Sequence, residues 1–234
     1  LNNFLKIIYL RYSNIVEIFK NNKISEVIIF ECEEKEFLPI DNMELTRSVN
    51  DYKWNVIMYS KIINFINKDV RLIKNRINFE YSNNTKKSSK SIKVILIDLI
   101  RFFLRLFKKR NDALIVNSYL PNFENLKLNL LLKQIPQIWK FVRIQNRKYD
   151  FKLRNKLSFL NSDDNFEILV KKIIPSSIPS VHIESFDELN KIVMNLKLPE
   201  KPKLIFTSNN YEFDEVFKLY TVLKKNINCP YIIG

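Results

Sequence analysis

Apolar residues open the chain at helical spacing. Phe4, Ile7, Ile8, Ile15, Ile18 and Phe19, with Arg11 on the same stripe, predict a helix over 4–20, stopped by Asn21-Asn22. Val27 to Phe30 is a short apolar run of β type and reads as a buried strand. The acidic cluster from Glu31 to Glu36, with Pro39, reads as a loop. Ser48 is then a suitable N-cap, with Asp51 at N3. A long helix follows to about Asn67 and buries Trp54, Ile57, Met58, Ile62 and Phe65. Residues 80–91 are polar and low in complexity, so they predict a linker.

Beyond it, residues 92–110 place Ile95, Leu99, Phe102, Phe103 and Leu106 on one helical face. A membrane span needs about 20 apolar residues with few charges. Asp98, Arg101 and Arg105 interrupt this stretch, so it predicts an amphipathic helix. Such a helix either packs on a core or lies on an anionic membrane, given the trailing Lys108, Lys109 and Arg110.

Ala113 to Asn117 predicts a second strand, followed by a helix over 123–132. Residues 133–156 interleave basic and aromatic side chains, a pattern that suits single-stranded nucleic acid or a plain amphipathic surface. The last third alternates regularly. Helices are expected near 163–172, 185–196 and 212–225, a short strand or extended turn at 181–184, and strands at 203–207 and 229–233. The final strand, helix and strand form a βαβ unit with a parallel pair. Alternating strands and helices predict an α/β class with a Rossmann-like, doubly wound parallel sheet. The expected organisation is an N-terminal helical and α/β part over 1–79, the linker over 80–91, and an α/β Rossmann-like part over 92–234.

Composition narrows the chemistry. The 234 residues contain two cysteines, one histidine and a single glycine, Gly234. Ordinary usage would supply about sixteen glycines. Walker loops, dinucleotide fingerprints and nucleophile elbows are therefore excluded. So are disulfide scaffolds and sites that need two histidines. No cofactor and no metal site are expected. Cys229, in an apolar strand beside Pro230, reads as a buried thiol.

The net charge is +14 and is unevenly placed. From Asn83 to Leu157 there are 18 basic residues against 4 acidic ones, and the remainder is balanced. Such a middle suits an anionic partner, although abundant lysine and scarce glycine also fit an AT-rich coding sequence.

In doubly wound sheets, ligands sit at the carboxyl ends of strands. Two such ends are polar here: Asn117-Ser118-Tyr119 and Ser208-Asn209-Asn210. Ser118, Tyr119, Ser208, Asn209 and Asn210 are the candidate substrate-binding residues. Glu212, Asp214 and Glu215 fill the following helical turn and would repel phosphate. Asn210 as a helix cap and Asp214 as a base are alternatives, and His182 is the only imidazole. No catalytic residue is assigned.

The chain lacks an initiator Met and stops just past an apolar strand. It is expected to be a piece of a longer protein.

Several stretches together resemble one family. They include Ile7-Ile8-Tyr9-Leu10-Arg11-Tyr12, Asn50-Asp51-Tyr52-Lys53-Trp54-Asn55, Asn117-Ser118-Tyr119-Leu120-Pro121, Ile178-Pro179-Ser180-Val181-His182-Ile183-Glu184, Ile205 to Tyr211, and Pro230 to Gly234. They resemble the middle of a bacterial family of transferases of surface-carbohydrate synthesis. In that family a Gln-His-Gly motif is expected just after Gly234, and Tyr is common where His182 stands. The resemblance implies a GT-B-like architecture, of which this chain would be the N-terminal and middle part. It also implies a glycosyltransferase-like activity in cell-surface polysaccharide biosynthesis, inactive in the fragment alone. The expected partners are a nucleotide-sugar donor, held mainly by a missing C-terminal domain, and a polysaccharide or lipid-linked acceptor. An anionic membrane surface is a further candidate, and nucleic acid is not favoured. A cytoplasmic location, peripheral to the inner membrane, is expected. The alternative reading is a non-catalytic module that binds nucleic acid or an anionic membrane surface.

Overall fold

A computed structural model describes residues 2–66, 70–78, 92–145, 147–157, 161–225 and 232–233. The expected linker at 80–91 and the thiol of Cys229 lie outside these residues. In chain order the elements are α1 (Asn2–Asn21), β1 (Glu26–Glu31), α2 (Glu34–Phe37), α3 (Asn42–Ser48), α4 (Tyr52–Ile66) and β2 (Arg71–Arg76). They continue with α5 (Ile92–Leu106), β3 (Leu114–Val116), α6 (Asn122–Leu131), α7 (Phe151–Asn155) and α8 (Asn165–Ser177). A 3-10 turn (Ser180–His182), α9 (Phe186–Met194), β4 (Ile205–Thr207), α10 (Asn210–Phe213), α11 (Glu215–Lys225) and β5 (Ile232–Ile233) complete the chain.

Two units divide these elements. The first combines residues 1–82 and 145–185, and the second residues 83–144 and 186–234.

The first unit is built on helix packing. Phe4, Ile8 and Ile15 of α1 meet Trp54, Ile57, Met58 and Ile62 of α4, and Leu169 and Ile173 of α8 join the same cluster. Phe37 stacks on Trp54, with ring centroids 5.4 Å apart. Beside this cluster lies a sheet of two parallel strands, β1 and β2.

The short strand or extended turn expected at 181–184 is corrected: a 3-10 turn occupies Ser180–His182 instead. The acidic loop expected after β1 is in part helix. Asp41 caps α3, its Oδ1 accepting from the Glu44 amide at 2.8 Å. Ser48 therefore ends α3 and does not start the long helix. Asp51 caps α4 instead, accepting from the Trp54 amide at 2.9 Å.

The second unit holds three short parallel strands in the order β3-β4-β5. Central β4 pairs with β5 across the α11 crossover, as the βαβ pattern predicts. Leu114, Val116, Ile205, Val216 and Phe217 are buried in this unit. Tyr220 of α11 donates from its hydroxyl to the Pro199 carbonyl at 2.8 Å.

The doubly wound, Rossmann-like and GT-B-like expectation is therefore corrected. Helix dominates the described residues, and the strands fall into two small separate sheets. The physical reason is strand length and polarity. Strands β3 and β4 have only three residues each. Strand β2 reads RLIKNR and is half-buried at best, so it cannot be the buried middle of a wide sheet. Its charges instead pair across the strands and the turn beyond. Lys74 lies 2.8 Å from Glu31, and Arg76 lies 2.8 Å from Glu33.

Candidate functional site

The carboxyl ends of β3 and β4 converge in the second unit. After β3, Asn117 and Tyr119 both take left-handed backbone conformations, with φ of 47° and 56°. Such φ values are uncommon outside glycine and disfavoured for a bulky side chain. They fold the Asn117-Ser118-Tyr119 turn so that it faces the loop after β4.

Four hydrogen bonds join these two loops and the helix start beyond them. Ser208 donates its amide to the Asn117 carbonyl at 3.2 Å. Asn209 Nδ2 donates to the Tyr119 hydroxyl at 2.5 Å. Asn117 Nδ2 donates to Asn210 Oδ1 at 2.5 Å. Asn210 Nδ2 reaches Asp214 Oδ2 at 3.5 Å. The structure thus brings Tyr119, Ser208, Asn209 and Asn210 to one strand end, with Ser118 buried beside them. Tyr119 is 76% exposed, and the Ser208 side chain is open to solvent. Asn210 is buried and braces the two loops.

Asp214 is not a free base. The expected helix over 212–225 breaks there into α10 and α11. The carboxylate caps α11, Oδ1 accepting from the Phe217 amide at 2.9 Å. Oδ2 accepts from the Trp139 indole at 2.6 Å. Burial pushes the Asp214 carboxyl above its ordinary range, and the Phe217 and Trp139 hydrogen bonds oppose that shift. With both oxygens engaged and the group buried, its role is architectural.

Trp139 was not singled out by the sequence as a site residue, yet its indole supports Asp214 behind these loops. Its ring meets Phe217 edge-on at 5.4 Å. Arg101 of α5 donates to the Trp139 carbonyl at 2.9 Å.

The surface therefore offers a phenol, a hydroxyl and an amide, with acids capping the helices behind. Neutral donors and acceptors of this kind match hydroxyl-rich ligands, and the acids disfavour a bare phosphate.

Several clefts lie among the described residues of the first unit. One, of about 220 Å³, sits at the carboxyl end of β1 and is lined by Cys32, Glu34, Ser60, Lys61 and Asn64 among others. Lys61 is largely desolvated, which lowers its pKa. Its ammonium donates to Ser176 Oγ at 3.2 Å and lies 4.7 Å from the centre of the Phe37 ring. The sequence left Cys32 and Lys61 without a role, because only the β1–α4 packing places them together. Another cleft, of about 410 Å³, is apolar and bordered by Phe4, Leu45, Ile174, Ile178 and His182. His182 sits exposed on its rim, apart from any cluster of acids and cysteines that could hold a metal; none exists among the described residues.

Of the basic-aromatic stretch, the part from residue 145 onward belongs to the first unit, and three of its side chains are engaged there. Arg147 pairs with Glu44 at 3.0 Å, and Arg154 is buried against Glu184. Tyr149 donates to Glu34 at 2.6 Å. These side chains do not form an open stacking platform.

Comparison with known proteins places the chain among transferases. It belongs to the LIC12162 transferase family, whose family model matches residues 1–234. No curated protein and no solved structure matches it.

Proposed function

We propose that this transferase moves a sugar or related group from a nucleotide-activated donor onto a surface-polysaccharide precursor, engaging the hydroxyl-rich acceptor at the β3 and β4 strand ends. The observation behind this reading is the set of exposed Tyr119 and Ser208 with half-buried Asn209, braced by buried Asn210. Two adjacent parallel strands deliver these groups to one edge, where ligands of parallel sheets commonly bind. The turn at Tyr119 is strained, and strain of this kind concentrates at binding sites. A polysaccharide or lipid-linked acceptor supplies the hydroxyls that such groups bind. The resemblance to transferases of surface-carbohydrate synthesis supports the same substrate class.

The test is turnover of the full-length protein with a panel of nucleotide-sugars, read as nucleoside diphosphate release. Asn209→Ala removes one neutral hydrogen-bonding group, worth about 0.5–1.5 kcal/mol, so turnover should fall about twofold to tenfold. The melting temperature should stay nearly constant, because the side chain is only half-buried. Full activity in Asn209→Ala would remove the site from this strand end.

A further inference from the structure

Helix α5 is mounted inside out. Among its described side chains the least exposed are Asp98, Arg101 and Leu104, and two of these three are charged. Asp98 is bound by Arg101 at 2.9 Å and by Lys140 at 3.0 Å, and Arg101 reaches the Trp139 carbonyl. The apolar residues point the other way. Ile95, Phe102, Phe103 and Leu106 are 56%, 54%, 53% and 63% exposed.

Helix α6 repeats the arrangement. Its buried side chain is Asn129, which accepts from Gln134 Nε2 at 2.9 Å, while Gln134 also bonds both backbone groups of Ala113. Phe123, Leu126 and Leu130 of α6 are left exposed. A water-facing helix ordinarily shows the reverse pattern. Two apolar helix faces exposed in one unit call for an apolar cover.

We infer that α5 and α6 dock the protein on an anionic lipid bilayer, with the outward apolar side chains of α5 seated among the acyl chains.

Charge selects this occupant. Residues 83–144, which contain both helices, carry 13 basic residues against 3 acidic ones. A second copy would bring the same excess of positive charge to the interface, whereas an anionic leaflet neutralises it. The bilayer is met from one side only. Helix α5 has 15 residues, and no helix among the described residues is long and apolar enough to cross a membrane. Its charged stripe stays on the protein side, fixed by Trp139 and Lys140, as an interfacial helix requires. That stripe leads to Trp139, whose indole holds Asp214 behind the strand-end loops. The docked face therefore stands in the same unit as the residues proposed to meet the acceptor.

The experiment is vesicle flotation of the full-length protein. Vesicles of phosphatidylcholine with about one quarter phosphatidylglycerol are compared with pure phosphatidylcholine. Binding to the anionic vesicles should exceed that to neutral ones by about tenfold, and should weaken as salt rises from about 0.1 M to about 0.5 M. Phe102→Ser combined with Phe103→Ser should reduce binding by about tenfold without changing the melting curve, since both rings are exposed. Phe103→Trp should shift its fluorescence to the blue on anionic vesicles and be quenched by brominated acyl chains. Equal binding to both lipids overturns the inference, as does binding indifferent to the double substitution. Absence of vesicle binding, with sedimentation showing a dimer that the double substitution dissociates, would assign the face to a second copy instead.

Discussion

Arg154 and Glu184 form a two-pronged ion pair inside the first unit. Arg154 Nε lies 2.5 Å from Glu184 Oε1, and Nη2 lies 2.7 Å from Oε2. The side chains are 2% and 4% exposed. The same guanidinium donates to the carbonyls of Pro175 and Ile178 at the end of α8, and Glu184 Oε1 also accepts from the Asp150 amide. One pair thus ties α7, α8 and the segment after the 3-10 turn.

Breaking one half of this pair leaves an uncompensated charge in a dry site, which costs about 3–5 kcal/mol. Glu184→Gln should therefore lower the denaturant midpoint severely. Replacing both partners by Met and Leu should cost less than Glu184→Gln alone, because no buried charge remains. Equilibrium unfolding of the three proteins checks the order. A midpoint for Glu184→Gln within error of the parent would show that the pair is solvated.

Asp214→Asn tests the capping role. The carboxylate accepts on both oxygens, whereas an amide can accept on one and must turn its NH2 toward another donor. The Trp139 indole or the Phe217 amide then loses its acceptor, at about 1–3 kcal/mol. The pH dependence has a definite sign. The Asp214 pKa is raised from 3.8 in the folded protein, so the folded state keeps its proton longer than the unfolded one. Its contribution to stability is present below about pH 3.8 and declines as pH rises through the elevated pKa. Asp214→Asn should flatten that acid-side slope in melting curves taken across this range.

Asn210→Ala separates bracing from binding. The side chain is 5% exposed and accepts from Asn117. Its removal should destabilise the protein by about 0.5–1.5 kcal/mol. The expected signature is a lower melting temperature, in contrast to the half-buried Asn209. An unchanged melting temperature would mean that the two loops stand without this contact.

These contacts show what a sequence makes legible and what it hides. The stripe of α1 and the apolar positions of α4 are local periodicities, and the observed core uses most of them, although Ile18 is 47% exposed and Phe65 only partly buried. The βαβ unit of β4, α11 and β5 follows from chain alternation. Sheet width does not, because it depends on which short strands find partners. RLIKNR has no apolar alternation, so β2 emerges only through its pairing with apolar β1, whose end residues Glu26 and Glu31 meet Arg71 and Lys74. Ser48 and Asp51 both suit a cap, and the choice falls to Asp51 once α3 occupies 42–48. At the candidate site, the polar strand ends are visible as Asn117 to Tyr119 and Ser208 to Asn210. Trp139 and the capping carboxylate of Asp214 become visible only when residues 75 positions apart are brought together. The outward apolar face of α5 is hidden for the same reason. Periodicity shows that a stripe exists but not which way it faces.

Cys32 offers a chemical probe of the cleft beside β1. Burial pushes its thiol up to about 11, with the nearby Lys61 ammonium pulling the other way and Glu36 and Glu34 adding to the rise. Desolvation outweighs the Lys61 ammonium in setting the thiol. At pH 8 only about one thiol in a thousand would then be ionised, and the thiolate is the reactive form. Alkylation of Cys32 by iodoacetamide, followed by peptide mass spectrometry, should be far slower at pH 8 than that of a free cysteine peptide. The rate should climb about tenfold per pH unit toward pH 11. Lys61→Met removes the opposing charge, so the pKa should rise further and the reaction at pH 8 to 9 should slow again. Linkage gives a second readout. The folded thiol holds its proton above the ordinary value of 9.0, so its contribution to stability is lost as pH rises from about 9 to about 11. Cys32→Ala should lessen that alkaline loss. Alkylation of Cys32 at pH 8 as fast as the free peptide would show that the cleft is hydrated and that Lys61 dominates the thiol.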